Sequence, residues 1–285
     1  MASDKSIVQY IEECIDKGSI ELPVFDVIAL KLQKTLASDN YNSEELSQIV
    51  LKDQSLSSKI LKMANSAFYS GLNPITTIQG ATIRLGSKSL ISMVMIVTQQ
   101  KSYNSVSKEF RRWMEPLWVH SLGVAMASKW LAQRLGLSKY IEESFLAGLL
   151  HDIGKLLLLK IIEELRKTGE IGEDISESVI RDVFETLHCT QGYGLMKHLN
   201  MPDIYCNAVL KHDDDDSSEG NILINLVKLA NLTCHKLGIG LKHDPGLMLS
   251  ATNEAINLMA TDLLLAELQV ELEGQIAEIQ NLLTC

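Results

Sequence analysis

The chain has little proline, few aromatic residues, no long apolar run and a shortage of positive charge. Of 285 residues, 5 are Pro, and Phe, Trp and Tyr together make up 5%. Sparse Pro and Gly punctuation with little β-branched alternation argues against a fold of strands and tight turns. No apolar stretch approaches the roughly 18 residues that a membrane span needs; the longest, Leu90–Thr98 and Leu156–Leu159, fall far short. The N-terminal segment MASDKSIVQYIEEC is acidic and carries no signal-peptide core, so the expected location is the cytoplasm. The five cysteines, Cys14, Cys189, Cys206, Cys234 and Cys285, contain no CxxC pair. They read as free thiols in a reducing compartment, mostly filling the core. Lys and Arg number 26 against 36 Asp and Glu, a formal net charge of −10. A protein that grips a nucleic-acid backbone needs clustered Lys and Arg, so that class is excluded, although a local basic pocket for one phosphate is not.

What the chain does have is helical periodicity. Apolar residues recur at three- and four-residue steps, as in Ile28, Leu32 and Leu36, in Leu46, Ile49 and Val50, and in Ile60, Leu61 and Ala64. The pattern predicts an all-α fold. Apolar residues make up 46% and charged residues 22%, enough for a packed core rather than disorder. Ser43 with Glu44 and Glu45 places a cap residue and two acids at a helix start. Gly71 to Pro74 reads as a turn, and Gly86-Ser87 ends one helix and caps the next. Leu90 to Val97 is apolar nearly all round, which predicts a central, buried helix.

The polar stretch Gln99 to Lys108 is the expected lobe boundary. Beyond it, a helix is expected from Phe110 to about Leu135, closed by Gly136, and another from Lys139 into His151-Asp152. Thr168–Asp174 and the acidic Asp213–Ser218 read as loops. The expected organisation is two helical lobes, 1–106 and 107–240, followed by a helical tail, 241–285. In that tail, Leu265, Leu268, Leu272, Ile279 and Leu282 fall near a/d spacing. Either the tail packs back on the domain or it forms a short homodimerisation coil.

The seven histidines are His120, His151, His188, His198, His212, His235 and His243. A lone histidine on a helix is usually structural; company changes that. His151 and Asp152 are adjacent at a helix end, followed by Gly154 and Lys155 and flanked by Leu149, Leu150 and Ile153. Adjacent helix positions diverge by about 100°, yet an ion outside the helix can be reached by both. A buried carboxylate needs a cation or donors. Gly154 fits a helix C-cap and permits close approach. Lys155 reads as a solvent-facing helix-end lysine or as a phosphate contact.

The string His151-Asp-Ile-Gly-Lys155 resembles the signature of the HD phosphohydrolase superfamily. Leu22-Pro23, then Leu61-Lys-Met-Ala-Asn-Ser-Ala-Phe-Tyr69, Pro74-Ile75 and Ala81-Thr-Ile-Arg-Leu-Gly86, more specifically resemble the HDOD domain, a signalling-associated relative. The resemblance runs from about Leu22 to His212 and leaves the tail uncovered. It implies that His120, in Trp118-Val-His-Ser121, is the first ligand and that His151 and Asp152 are the doublet. It further aligns His188 and His212 with the later histidines seen in the HD-GYP subgroup. Where a second His would follow His212, this chain has Asp213; where the final Asp would stand, it has Asn231.

The implied first site is His120, His151, Asp152 and Asn231, and the implied second is Asp152, His188, His212 and Asp213. Two imidazoles with carboxylates suit Fe, Mn, Zn or Ni, as one ion or two. A metal pair roughly 3.5–4 Å apart would clamp a phosphoryl group and activate water. Asn231 is a weaker ligand than Asp and removes a balancing charge.

Departures from the HD-GYP pattern are plain. Lys155 is followed by Leu156 to Leu159 instead of a family-type continuation, and Asp213–Asp216 stands where a second His and a Gly-Tyr-Pro segment belong. Four acids beside a site would repel a phosphodiester unless neutralised; a solvated loop is the simpler reading. Gln191-Gly192-Tyr193-Gly194 reads as a helix start or close-packing site, not a phosphate cradle.

Two functions follow. One is a non-catalytic or weakly catalytic signalling module, with a separate signalling protein as partner because no receiver, GGDEF or EAL-like segment is seen. The alternative is a metal-dependent phosphohydrolase for a nucleotide or cyclic dinucleotide, with His151, Asp152 and Lys155 as its catalytic residues. A metal or ligand sensor without turnover is a third, weaker option.

Overall fold

The structure is a computed structural model. It describes residues 42–66, 69, 73–172, 175–214 and 220–284, with Ile11, Ile28 and Lys31 placed individually. The expected helix start at Leu22-Pro23, the stripe residues Leu32 and Leu36, Gly71 with Leu72, Asp215 to Ser218, and the side chains of Ile279 and Leu282 lie outside the described residues.

All regular elements among the described residues are helical. In chain order, α1 (Ser43–Leu51), α2 (Gln54–Ala64), α3 (Ile78–Leu85) and α4 (Ser87–Ser102) precede the long α5 (Lys108–Arg134). Then come α6 (Ile141–Leu150), α7 (Ile153–Lys167), α8 (Glu177–His198), α9 (Asp203–Lys211), α10 (Ile222–Leu237), α11 (Asn253–Asn257) and α12 (Asp262–Thr284). The α1 start differs from the sequence expectation by one residue. Asn42, not Ser43, is the cap: its Oδ1 accepts from the Glu45 amide at 2.7 Å. Asp53 and Thr77 cap α2 and α3 in the same way. Gly86 both ends α3 and precedes α4, and Ser87 is already helical.

α4 is buried on almost every side from Leu90 to Gln99, as its all-round apolar pattern predicts. It continues through the polar stretch to Ser102, so the connection to α5 is only residues 103–107. Three elements meet at a buried polar contact: Glu142 of α6 accepts from Ser89 and Ser92 of α4 and pairs with Lys129 of α5 at 2.7 Å. Burying an ammonium requires such a partner.

α5 is the axis of the second half, packing on α6, α7, α10 and α12. α12 returns along α5: Leu265, Leu268 and Leu272 are buried, and Arg134 of α5 pairs with Glu267. Those three leucines of the a/d pattern are therefore covered within this chain. Among the described residues, no helix is long and apolar enough to cross a membrane.

Candidate metal centre

The centre forms where helices break or cross. α6 ends at Leu150 and α7 starts at Ile153, so His151 and Asp152 occupy the turn between them. Asp152 sits at the N-cap position of α7, but its side chain makes no capping hydrogen bond. Its carboxylate points into the site instead.

Gly154 lies in the first turn of α7, not at a helix C-cap as the sequence suggested. The reason is a close crossing. A Cβ on Gly154 would stand 1.9 Å from the His188 carbonyl oxygen and 3.0 Å from the Gly192 amide nitrogen. Gln191 to Gly194, expected at a helix start or a close-packing site, runs inside α8, and Gly192 packs closely on Gly154 in this crossing. His188 is thereby brought against Asp152.

Four histidines from four places share one hydrogen-bonding pattern. The Nδ1 of His120 meets the Ile239 carbonyl at 2.9 Å, and that of His151 meets the Gly148 carbonyl at 2.7 Å. The Nδ1 of His188 meets Phe184 O, and that of His212 meets Val209 O at 2.8 Å. A carbonyl oxygen only accepts, so each Nδ1 carries the proton and each Nε2 faces inward. Gly238 and Gly240, both at positive φ, shape the loop that brings Ile239 to His120, and a Cβ on Gly240 would stand 2.8 Å from His120 Cβ.

The inward Nε2 atoms fall into two pairs, His120 with His151 and His188 with His212, each at 3.2 Å. Asp152 lies between them. Its Oδ2 is 3.6 Å from His120 Nε2 and 3.4 Å from His151 Nε2, while Oδ1 is 3.2 Å from His212 Nε2 and 3.7 Å from His188 Nε2. Asp213, half-exposed, adds Oδ2 at 3.2 Å from His188 Nε2 and Oδ1 at 3.7 Å from His212 Nε2.

Asn231 of α10 donates to Asp213 Oδ1 at 3.3 Å, and its own Oδ1 is buried without a hydrogen-bond partner. Asp152 Oδ1 is likewise an orphan. Lys155, read from sequence as solvent-facing or phosphate-contacting, has a side chain only 18% exposed and rests on Asp152 Oδ2 at 2.8 Å.

Electrostatics separates the two pairs. Burial, then the neighbouring His151, pushes His120 down to about 3, and burial also lowers His151 against the pull of Asp152. Both are neutral, so their Nε2 lone pairs confront each other with no proton between them. Burial also opposes charge on His188, but its bonds to Asp213 and Cys189 outweigh this and hold it up at about 9; His212 is raised mainly by Asp152. Asp152 stays well below the usual carboxylate range because Lys155 and His151 overcome its burial. These donors fit a divalent cation. Two sets lie within 4.8 Å: His120, His151 and Asp152, and His188, Cys189, His212 and Asp213.

Sequence reasoning missed several neighbours. His235 stacks on His120, with ring centroids 5.3 Å apart and planes at 3°. Arg181 and Lys242 join Lys155 around a cavity of about 250 Å³ that reaches His120, His188 and Asp213. Three cations line this cavity together with the acids Asp152, Glu185 and Asp213, and Asp213 is turned to His188. Arg181 precedes His188 by seven residues on α8, a same-face spacing that could have flagged it. Lys242 lies in the connection after α10, where no periodic signal exists.

An all-helical fold carrying a buried cluster of histidines and carboxylates around a His-Asp doublet is the class defined here. The HDOD domain family model matches residues 22–215, and the chain belongs to the HDOD family. An uncharacterised protein of Treponema pallidum (strain Nichols) is 22% identical over 222 residues, covering 75% of this chain and 42% of that protein. The chain thus spans less than half the length of that relative.

Two solved structures share the fold. A candidate signal transduction protein from Marinobacter aquaeolei VT8 is 18% identical with a TM-score of 0.71, covering 100% of this chain and 68% of that one. A candidate metal-dependent phosphohydrolase from Shewanella amazonensis SB2B is 17% identical with a TM-score of 0.68, covering 93% and 98%.

Proposed function

We propose that this chain is a cytoplasmic HDOD signalling module whose buried His/Asp centre binds one or two divalent transition ions (Fe, Mn, Zn or Ni), with little or no turnover. The observation that carries this reading is the His120–His151 pair: two neutral imidazoles with lone pairs 3.2 Å apart beside a buried carboxylate. A cation held by both nitrogens and the carboxylate satisfies that arrangement. The ligands would be His120, His151 and Asp152 on one side, and Asp152, His188, His212 and Asp213 on the other, where Asn231 donates to Asp213.

Two features support weak turnover. Lys155 already neutralises Asp152 Oδ2, so an ion on that side competes with an ammonium. Asn231 supplies an amide where a carboxylate would add charge and basicity. A bound ion would polarise a phosphoryl oxygen and acidify a water. The chain's own part is to orient the imidazoles through their Nδ1 bonds and to hold a phosphate-bearing ligand, such as a nucleotide or cyclic dinucleotide, with Lys155, Arg181 and Lys242. A signalling protein would read the resulting state.

Hydrolysis of such a ligand is the second reading, favoured by Lys155, Arg181 and Lys242 in the cavity lining. A panel of phosphodiesters and nucleotides incubated with metal-loaded protein separates the two. The signalling reading expects binding without product. Metal-dependent product formation lost in Asp152→Ala would overturn it in favour of the hydrolase.

A further inference from the structure

We infer that Cys189 is a thiolate ligand of the His188/His212 side of the centre, which makes the two sides chemically unequal. This rests on the metal reading above and goes beyond it by assigning a donor of a different kind. Cys189 follows His188 on α8 and is only partly exposed. Its Sγ lies 3.3 Å from His188 Nε2 but 4.0 Å from Nδ1, so the sulfur stands at the inward end of the ring.

The spacing of the four donors fits one ion. His188 Nε2 is 3.2 Å from His212 Nε2, 3.2 Å from Asp213 Oδ2 and 3.3 Å from Cys189 Sγ, while His212 Nε2 is 3.7 Å from Asp213 Oδ1. Bonds of about 2.0–2.3 Å at tetrahedral angles separate neighbouring donors by about 3.3–3.6 Å. An independent observation points to the same place. Asp152 Oδ1, on a side chain only 1% exposed and lacking a hydrogen-bond partner, is directed at His212 Nε2 from 3.2 Å.

The other side offers two nitrogens and a carboxylate, with no sulfur. A thiolate favours softer ions, so the His188 side selects Zn²⁺ or Fe²⁺, and the His120 side tolerates harder ones such as Mn²⁺. Binding breaks the Cys189 S–H bond, releases the proton to solvent and forms a sulfur–metal bond. No electron is transferred.

The test is optical titration of the full chain with Co²⁺ under reducing, anaerobic conditions. The wild-type protein is expected to show visible d–d bands together with a near-ultraviolet thiolate-to-cobalt charge-transfer band. Cys189→Ser keeps d–d bands and loses the charge-transfer band, whereas Cys206→Ala and Cys234→Ala retain both. A wild-type d–d spectrum without the charge-transfer band, or a band that survives in Cys189→Ser, would overturn the assignment while leaving metal binding intact. Absence of any cobalt spectrum would sink the assignment and the metal reading together. A second measurement needs no variant. Metal should slow alkylation of Cys189, mapped by peptide mass spectrometry, by about tenfold or more, because a metal-held thiolate is not a free nucleophile. Unchanged alkylation would contradict the assignment.

Discussion

The Nε2 atoms of His120 and His151 face each other across 3.2 Å, and each ring donates a hydrogen bond from its Nδ1–H to a backbone carbonyl. Two buried lone pairs at that distance repel, and the fold holds them there through the Ile239 loop and the α6–α7 turn. Asp152 between the two histidine pairs is the natural anchor for a cation.

Metal should stabilise the fold through this anchor. A ligand at about one hundred times its Kd adds about 2.7 kcal/mol, which for a chain of this size is a Tm rise of about 4–5 °C. Scanning calorimetry with Zn²⁺ or Mn²⁺ should show that rise in the wild type and lose most of it in Asp152→Asn. An equal rise in both would mean that the ion binds elsewhere.

Two glycines on the same helix pair should respond oppositely to alanine. Gly154→Ala drives a Cβ into the His188 carbonyl, so α7 and α8 must separate; a loss of at least about 3 kcal/mol is expected, together with weaker metal binding. Gly194, inside α8 with nothing within 4 Å of its would-be Cβ, should gain up to about 1 kcal/mol from the better helix former. Chemical denaturation of both variants checks the contrast.

Metal affinity should climb with pH over a defined interval. His188 is raised from 6.5 to about 9 in the folded chain. Its protonation therefore stabilises the metal-free fold fully below pH 6.5, and that contribution disappears as pH rises through 9. The ion competes with the same proton, so apparent affinity should rise by up to about tenfold per pH unit in this window. Titration calorimetry at several pH values measures it; a flat affinity would contradict the assignment of His188 as a ligand.

The cations of the cavity lining should matter for phosphate-bearing ligands and not for metal. Arg181→Ala and Lys242→Ala should each weaken nucleotide or cyclic dinucleotide binding to the metal-loaded chain by about tenfold, the worth of a charge-assisted contact. Metal content should stay unchanged. A Lys139→Ala control, far along the chain in the α5–α6 connection, should bind like wild type.

Much of the fold and of the site is legible in the sequence. α5 and α4 were legible because their apolar patterns are long and regular, and His151-Asp152 because a doublet at a helix end is local. His188, His212 and Asp213 could be placed only through the family resemblance, since the crossing of α7 and α8 at Gly154 and Gly192 is tertiary. Cys189 was read as core filler because spacing alone does not show that its sulfur turns toward His188. Gly154 permits close approach as its sequence context suggests, but it does not cap a helix, because a glycine for close approach and a glycine for a cap look alike in sequence.

A divalent transition ion held in the His/Asp centre can be counted. Elemental analysis by mass spectrometry of the full chain, purified without chelator and then saturated and desalted, tests it most directly against His151→Ala and Asp152→Ala. One to two ions per wild-type chain are expected, with a loss of at least one in each variant. Equal metal content in all three proteins would contradict it.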